Sequence, residues 1–161
     1  MDEAKLKKQL NYLLSEGLDS LKTNNPRSAL IKFQEILDHK PDNANILNFI
    51  GICHSQLKNY EKALLYISKA ISINKKEVGF YLNLGNVYKD LKNFKKALEV
   101  YLACLEINKA APDLLYNIGI LYENQHKYKE ALIYYKKTIE LEPLNKFALN
   151  NTANVSKELS L

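Results

Sequence analysis

The chain has 161 residues, of which 47% are hydrophobic and 25% are charged, with 5 Gly, 4 Pro, 2 Cys and no Trp. This composition is that of an ordinary soluble domain and excludes collagen-like, disulfide-rich and largely disordered proteins. The net charge is +5, but Arg27 is the only arginine among the 23 basic residues. A surplus of lysine argues against sequence-specific nucleic-acid recognition, which favours the planar guanidinium group.

The N-terminal residues Met1–Lys5 include two acidic residues where a secretory signal would be basic. No stretch approaches the roughly 20 apolar residues that a membrane-spanning helix needs. We therefore expect a cytoplasmic protein that does not insert into a membrane.

Residues with reactive or metal-binding side chains are few and scattered. Cys53 and Cys104 lie far apart in the sequence, and we expect both to be small core residues. The three histidines, His39, His54 and His126, form no metal-binding or catalytic spacing. We expect no cofactor, no metal and no enzymatic activity.

Small residues recur every 34 positions along most of the chain. An alanine follows each of four glycines by 12 positions. The pairs are Gly17 and Ala29, Gly51 and Ala63, Gly85 and Ala97, and Gly119 and Ala131. A fixed period of this length indicates supersecondary units that stack because none can bury its apolar face alone.

The period divides the chain into consecutive segments. Residues 1–9 extend the first helix, the units 10–43, 44–77, 78–111 and 112–145 follow, and 146–161 form a single terminal helix. Within a unit, apolar residues at helical spacing lie on both sides of a short polar turn such as Lys92–Asn93. Each unit is therefore predicted to be a hairpin of two antiparallel helices. The terminal helix caps the last apolar face, with fraying expected at Leu159 and Leu161.

The recurring glycine positions and the recurring alanine positions, here called columns, have the same physical explanation. A helix without a Cβ atom and a helix with a lone methyl group can approach each other closely where they cross. Larger side chains at either position would overpack the contact, which typically costs about 1 to 3 kcal/mol. Both columns are therefore predicted to lie inside the hairpins.

The third unit carries the clearest copy of the pattern, Tyr81 to Tyr88 followed by Ala97, Tyr101 and Cys104. This copy resembles the tetratricopeptide repeat, a 34-residue helix–turn–helix. The first unit departs most, with Glu16 before its glycine. The resemblance implies an all-α fold, a right-handed α-solenoid of four helical hairpins plus a C-terminal capping helix.

The resemblance also implies a function. In this family the first helices line a concave groove that holds an extended or helical segment of another protein. The corresponding positions in this chain are Asn48, Phe49, Ile52, Leu82, Asn83, Asn86, Lys89, Tyr116, Asn117, Ile120, Asn124, Asn150, Asn151 and Asn154.

Asparagine recurs in these columns. Asn83, Asn117 and Asn151, here called the asparagine ladder, follow the same period as the glycines. A carboxamide both donates and accepts hydrogen bonds, so it can hold a peptide backbone without reading its side chains. The alternative is that the ladder reflects a composition rich in asparagine, and the sequence does not separate the two.

The leading hypothesis is a non-enzymatic scaffold or adaptor that binds a peptide segment of a partner protein in the groove. Some family members clamp the carboxylate of a chaperone tail, but Leu14 and Leu18 occupy positions where that clamp needs polar residues. We therefore predict a different ligand. The first alternative is a self-associating structural or assembly protein that uses the terminal helix or the groove, and a nucleic-acid accessory role comes third.

Overall fold

A computed structural model describes residues 2–159, so the expected fraying of Leu161 lies outside the described residues. The regular secondary structure of these residues is entirely helical, which confirms the predicted all-α class. Nine helices occur between residues 2 and 159: α1 (Glu3–Lys22), α2 (Pro26–His39), α3 (Ala44–Gln56), α4 (Tyr60–Ile73), α5 (Val78–Asp90), α6 (Phe94–Ile107), α7 (Pro112–Glu123), α8 (Tyr128–Leu141) and α9 (Lys146–Glu158).

The helices belong to two compact units, which divide within α5 after Val87. In unit 1, α1 packs against α2, α2 against α3, and α3 against α4. In unit 2, α6 packs against α7, α7 against α8, and α8 against α9. Within each unit, these helices pack against their neighbours in sequence, as expected for tandem hairpins.

The turn inside each hairpin repeats its backbone conformation. Asn24, Lys58, Lys92 and His126 all have positive φ angles, between 56° and 59°. These four residues follow the same period as the glycines. A left-handed residue at this place reverses the chain within three or four residues, so the second helix can fold back on the first.

Several asparagines cap helices. The side chains of Asn25, Asn43, Asn93 and Asn145 accept a hydrogen bond from a backbone N–H in the first turn of α2, α3, α6 and α9 respectively. Asparagine is among the best residues for this role. Part of the high asparagine content is therefore explained by helix capping.

The small-residue columns lie inside the hairpins, as predicted. Ala29, Ala63, Ala97 and Ala131 are fully buried. A Cβ atom built at Gly17, Gly51 or Gly119 would lie under 3.0 Å from a side-chain carbon of Phe33, Ile67 or Tyr135 respectively. The absence of a side chain at these glycines is what allows the large residue of the second helix to fit.

The two cysteines are free and buried. Burial raises the pKa of the Cys53 thiol to about 12 and also raises the pKa of Cys104. Neither thiol is a nucleophile at neutral pH, because the thiolate is the reactive form.

Across the described residues, no helix combines the length and the apolar character needed to cross a bilayer.

Candidate functional site

In unit 1, the predicted groove residues lie on α3 and on α5 up to Val87. Asn83 Nδ2 donates a hydrogen bond to Asn48 Oδ1 at 3.0 Å. Asn48 is only 5% exposed. Asn48 therefore holds Asn83 in place, and the carboxamide of Asn48 does not face solvent.

The apolar groove residues of unit 1 are partly engaged with the core. The ring of Phe49 stacks on Phe33, with 5.2 Å between the ring centroids and an interplanar angle of 26°. Ile52, Asn83 and Asn86 line a pocket of about 170 Å³ together with the core residue Ile67. Leu82 is half-buried. This face is therefore shallow and largely packed.

In unit 2, a hydrogen-bond network fixes the corresponding residues. Asn151 Nδ2 donates to the hydroxyl oxygens of Tyr116 at 3.4 Å and Tyr135 at 3.1 Å. The Tyr135 hydroxyl donates to the carboxylate of Glu123. Burial raises the pKa of both tyrosines, so both hydroxyls stay protonated at neutral pH. The network holds the Tyr116 ring in one orientation.

Phe147 adds an exposed aromatic ring to this network. Its centroid lies 6.4 Å from that of Tyr116, with the rings tilted at 46°, and Tyr116 lies 5.7 Å from Tyr135. Phe147 is 71% exposed. Its ring therefore extends the aromatic surface of Tyr116 into solvent.

Sequence reasoning missed two members of this site, Phe147 and Glu123. The signal for Glu123 was present, because it occupies the same repeat position as the groove candidate Lys89, one repeat later. Phe147 precedes Asn150 and Asn151 by one helical turn, which places it on the same face of α9.

The other predicted residues of unit 2 divide into packed and exposed side chains. Asn117 Nδ2 donates to the backbone carbonyl of Asp113 at 2.8 Å, within its own helix. Ile120 packs against the core cluster around Tyr135, and Lys89 is half-buried in the last turn of α5. The exposed amides are Asn124, Asn150 and Asn154.

The asparagine ladder thus has a structural role that the sequence did not reveal. Asn83, Asn117 and Asn151 each use the amide nitrogen to hold a group of the protein itself. In unit 2, the amides that face solvent are instead those at the neighbouring positions, Asn150 and Asn154.

Between residues 2 and 159, no three His, Cys, Asp or Glu side chains cluster closely enough to hold a metal ion.

Comparison with known proteins places this geometry in a family. Two sequence models, both described as the tetratricopeptide repeat, match residues 14–77 and 79–142. The crystal structure of MamA protein matches 96% of this chain and 85% of its own, with a TM-score of 0.75 and 17% identity. The first TPR of Spaghetti (RPAP3), bound to the HSP90 peptide SRMEEVD, matches 73% of this chain and 94% of its own, with a TM-score of 0.67 and 23% identity.

One curated relative is much longer than this chain. The Protein CTR9 homolog of Arabidopsis thaliana is 30% identical over 71 residues, which are 44% of this chain and 6% of that protein. The likeness to the solved structures shows a shared fold of tandem helical hairpins.

Proposed function

The chain belongs to the tetratricopeptide repeat family, and on that premise we propose that it is a non-enzymatic adaptor that binds a peptide segment of a partner protein. The segment lies on the faces of α7 and α9 in unit 2. Unit 2 supplies the anchoring contacts through Tyr116 and Phe147. The partner is neither a nucleic acid nor a membrane, and the complex forms in the cytoplasm.

One observation carries this proposal: an exposed phenylalanine lies beside a tyrosine whose hydroxyl is already bonded. Asn151 occupies the polar end of Tyr116, so the ring presents an apolar face at little further cost in conformational entropy. Rigid aromatic residues of this kind are typical energetic centres of protein interfaces. An apolar side chain of the segment would pack against Tyr116 and Phe147.

The exposed amides around the aromatic pair support binding of a peptide backbone. Asn124, Asn150 and Asn154 can each donate and accept hydrogen bonds. Three such bonds at a net of about 1 kcal/mol each give roughly 3 kcal/mol. A micromolar complex requires about 8.2 kcal/mol. The aromatic contacts must therefore supply the larger share.

The proposed segment differs from the acidic peptide SRMEEVD bound to the first TPR of Spaghetti. In this chain, Leu14 and Leu18 pack against the core of unit 1 and offer no polar group to a carboxylate. We propose that an apolar side chain, and not a terminal carboxylate, dominates recognition.

The test begins with a displayed library of short peptide segments, enriched on the immobilised protein. Fluorescence anisotropy then gives the Kd of the best segment for the wild type and for Tyr116→Ala and Phe147→Ala. We expect each substitution to raise the Kd about tenfold, which corresponds to about 1.4 kcal/mol. Phe147 is exposed, so its removal leaves the fold intact.

Ile133→Ala is the matched control, because Ile133 is exposed on α8, outside the proposed face. An equal loss of affinity in Ile133→Ala and Phe147→Ala would contradict the proposed site. Failure to enrich any segment would contradict the proposed activity itself.

A second candidate function is self-association. Leu144, at the turn between α8 and α9, is 88% exposed, and the exposed Phe147 follows it closely. Exposed apolar groups of this kind are typical of protein interfaces. Light scattering over a concentration series tests it: a rising mass that Leu144→Ser abolishes would support a homo-oligomer, and a constant monomer mass would exclude it.

A further inference from the structure

The outer faces of α2 and α4 in unit 1 carry two exposed aliphatic side chains at equivalent repeat positions. Ile31 is 68% exposed and Leu65 is 66% exposed. The two helices flank a cleft of about 470 Å³, which Ile31 and Tyr66 line from opposite sides. The two outer faces therefore belong to one surface, here called the α2–α4 face. Neighbouring apolar side chains on such a surface are typical of an interface.

On α2, charges of opposite sign flank the exposed aliphatic residue. Arg27 lies four residues before Ile31, and Glu35 lies four residues after it. Residues four apart lie on the same face of a helix. Glu35 Oε1 accepts a hydrogen bond from the Gln9 amide at 3.2 Å, which positions the carboxylate without neutralising its charge.

On α4, the same arrangement occurs with the signs reversed. Glu61 lies four residues before Leu65, and Lys69 lies four residues after it. Between residues 2 and 159, the salt bridges lie within α1 or between α1 and α2, and they include none of the four flanking charges. These charges are therefore available to another molecule.

This order of charges is complementary to itself when two identical helices meet antiparallel. Two copies of α2 that cross at Ile31 bring Arg27 of each copy opposite Glu35 of the other. Two copies of α4 that cross at Leu65 pair their flanking charges in the same way. One two-fold axis through both crossings makes all of these contacts together, and two-fold symmetry is the commonest arrangement of homo-oligomers.

The repeat provides an internal reference for this face. Ile133 on α8 occupies the repeat position of Ile31 and Leu65 and is 52% exposed. Lys129 and Lys137 flank it, so two antiparallel copies of α8 would bring lysine against lysine. An exposed aliphatic residue at this position is therefore not self-complementary by itself, and the charges distinguish the α2–α4 face.

We propose that the α2–α4 face binds a second copy of this chain about a two-fold axis, with α2 antiparallel to α2 and α4 antiparallel to α4. The aliphatic contacts at Ile31 and Leu65 supply most of the affinity. Exposed ion pairs contribute at most about 1 kcal/mol each, so the flanking charges chiefly select the register. Opposed helix dipoles favour this register over a parallel pairing of α2 with α4 of the second copy.

Sedimentation velocity over a concentration series of the whole protein tests the dimer. We expect the mass to rise from monomer to dimer, and Ile31→Ser and Leu65→Ser each to raise the dimer Kd about tenfold. Ile133→Ser is the matched control and should leave the Kd unchanged. A constant monomer mass up to about 1 mM would overturn the proposal, and so would an equal effect of Ile133→Ser.

Charge reversal tests the register. Arg27→Glu should raise the dimer Kd about tenfold, because it faces Glu35 of the second copy. The double substitution Arg27→Glu, Glu35→Arg should restore the Kd, because it exchanges the two partners. In a parallel pairing with α4, the same double substitution would oppose like charges at both ends. Failure of the double variant to dimerise would therefore overturn the antiparallel register.

Cross-linking tests the contact at the two-fold axis. Cys53 and Cys104 are buried, so a short bis-maleimide reagent should link copies only through an introduced thiol. We expect Ile31→Cys to give a linked dimer and the control Ile133→Cys to remain monomeric. Equal cross-linking of both variants would contradict the proposed contact.

The dimer is independent of the proposed peptide-binding face. It uses residues of unit 1, whereas Tyr116, Phe147 and Leu144 belong to unit 2. Tyr116→Ala and Leu144→Ser should therefore leave the dimer Kd unchanged, and Ile31→Ser should leave the peptide affinity unchanged. A dimer that Leu144→Ser abolishes would overturn the α2–α4 face and assign self-association to unit 2.

Discussion

Asn48 and Asn83 of unit 1 occupy the same repeat positions as Tyr116 and Asn151 of unit 2, two repeats earlier in the chain. In both pairs the second residue donates a hydrogen bond to the first. The outcome differs because the asparagine acceptor, Asn48, is itself buried, whereas the tyrosine acceptor, Tyr116, has an aromatic ring that lies tilted beside the exposed Phe147.

A residue on the second helix of the hairpin adds to this difference between the two units. Asn151 also donates to Tyr135, but Ile67 stands at that position in unit 1 and has no hydroxyl group. A pocket of about 170 Å³ lies there, lined by both Ile67 and Asn83. The same repeat backbone therefore carries a packed polar face in unit 1 and an exposed aromatic face in unit 2, depending on two side chains.

The largest expected effect on stability comes from the glycine position inside the hairpins, which both units share. Gly51→Leu and Gly119→Leu should each reduce the free energy of unfolding by about 3 kcal/mol, because Ile67 and Tyr135 fill the space that a side chain would need. Chemical denaturation measures both. Gly79→Ala is the control, since an added Cβ there meets no atom closer than 3.5 Å. A loss in only one unit would show that the hairpins are packed differently.

The next effect is specific to unit 2. Tyr135→Phe removes the hydroxyl that serves Glu123 and Asn151, so we expect a loss of about 1 to 3 kcal/mol in the free energy of unfolding. The affinity for the peptide segment should fall as well, because Tyr116 loses its fixed orientation. Unchanged stability and affinity in this variant would show that the hydrogen-bond network neither stabilises unit 2 nor orients Tyr116.

Asparagines that bond within the protein and asparagines that face solvent should respond differently to substitution. Asn83→Ala leaves the buried Asn48 carbonyl without its donor and should cost about 1 to 2 kcal/mol, measured by thermal or chemical unfolding. Asn150 is exposed, so Asn150→Ala should change stability by less than about 0.5 kcal/mol and act on ligand affinity instead. A stability loss in Asn150→Ala together with unchanged stability in Asn83→Ala would contradict these assignments.

The smallest effect lies in the acid stability of unit 1. Hydrogen bonds from Lys32 and then Tyr12 lower the pKa of Glu16. The resulting stabilisation is present above the ordinary pKa of 4.5 and is lost as the pH falls through the lowered value. Glu16→Gln should therefore flatten the acid limb of a stability profile slightly and reduce its salt dependence, whereas the exposed Glu99→Gln should not. Identical profiles for both variants would contradict this assignment.

Much of the fold was predictable, because packing within a hairpin depends on positions that recur in sequence. The columns of Gly51 and Ala63 require close helices wherever they occur, and the structure confirms that both residues are buried. For the candidate site, the sequence predicted which repeat positions contribute residues, but not which of those residues are exposed. The sequence placed Asn48 and Asn150 in one column, yet the first is buried and the second exposed.

The sequence by itself determined the period, the hairpins and the small residues between their helices, because these follow from local spacing. Tertiary structure decided which polar groups are already satisfied. Asn83 and Asn151 each bond to a residue of the preceding first helix, so their roles depend on whether an asparagine or a tyrosine meets them there. The exposure of Phe147 also depends on neighbouring helices, because burial belongs to the packed structure.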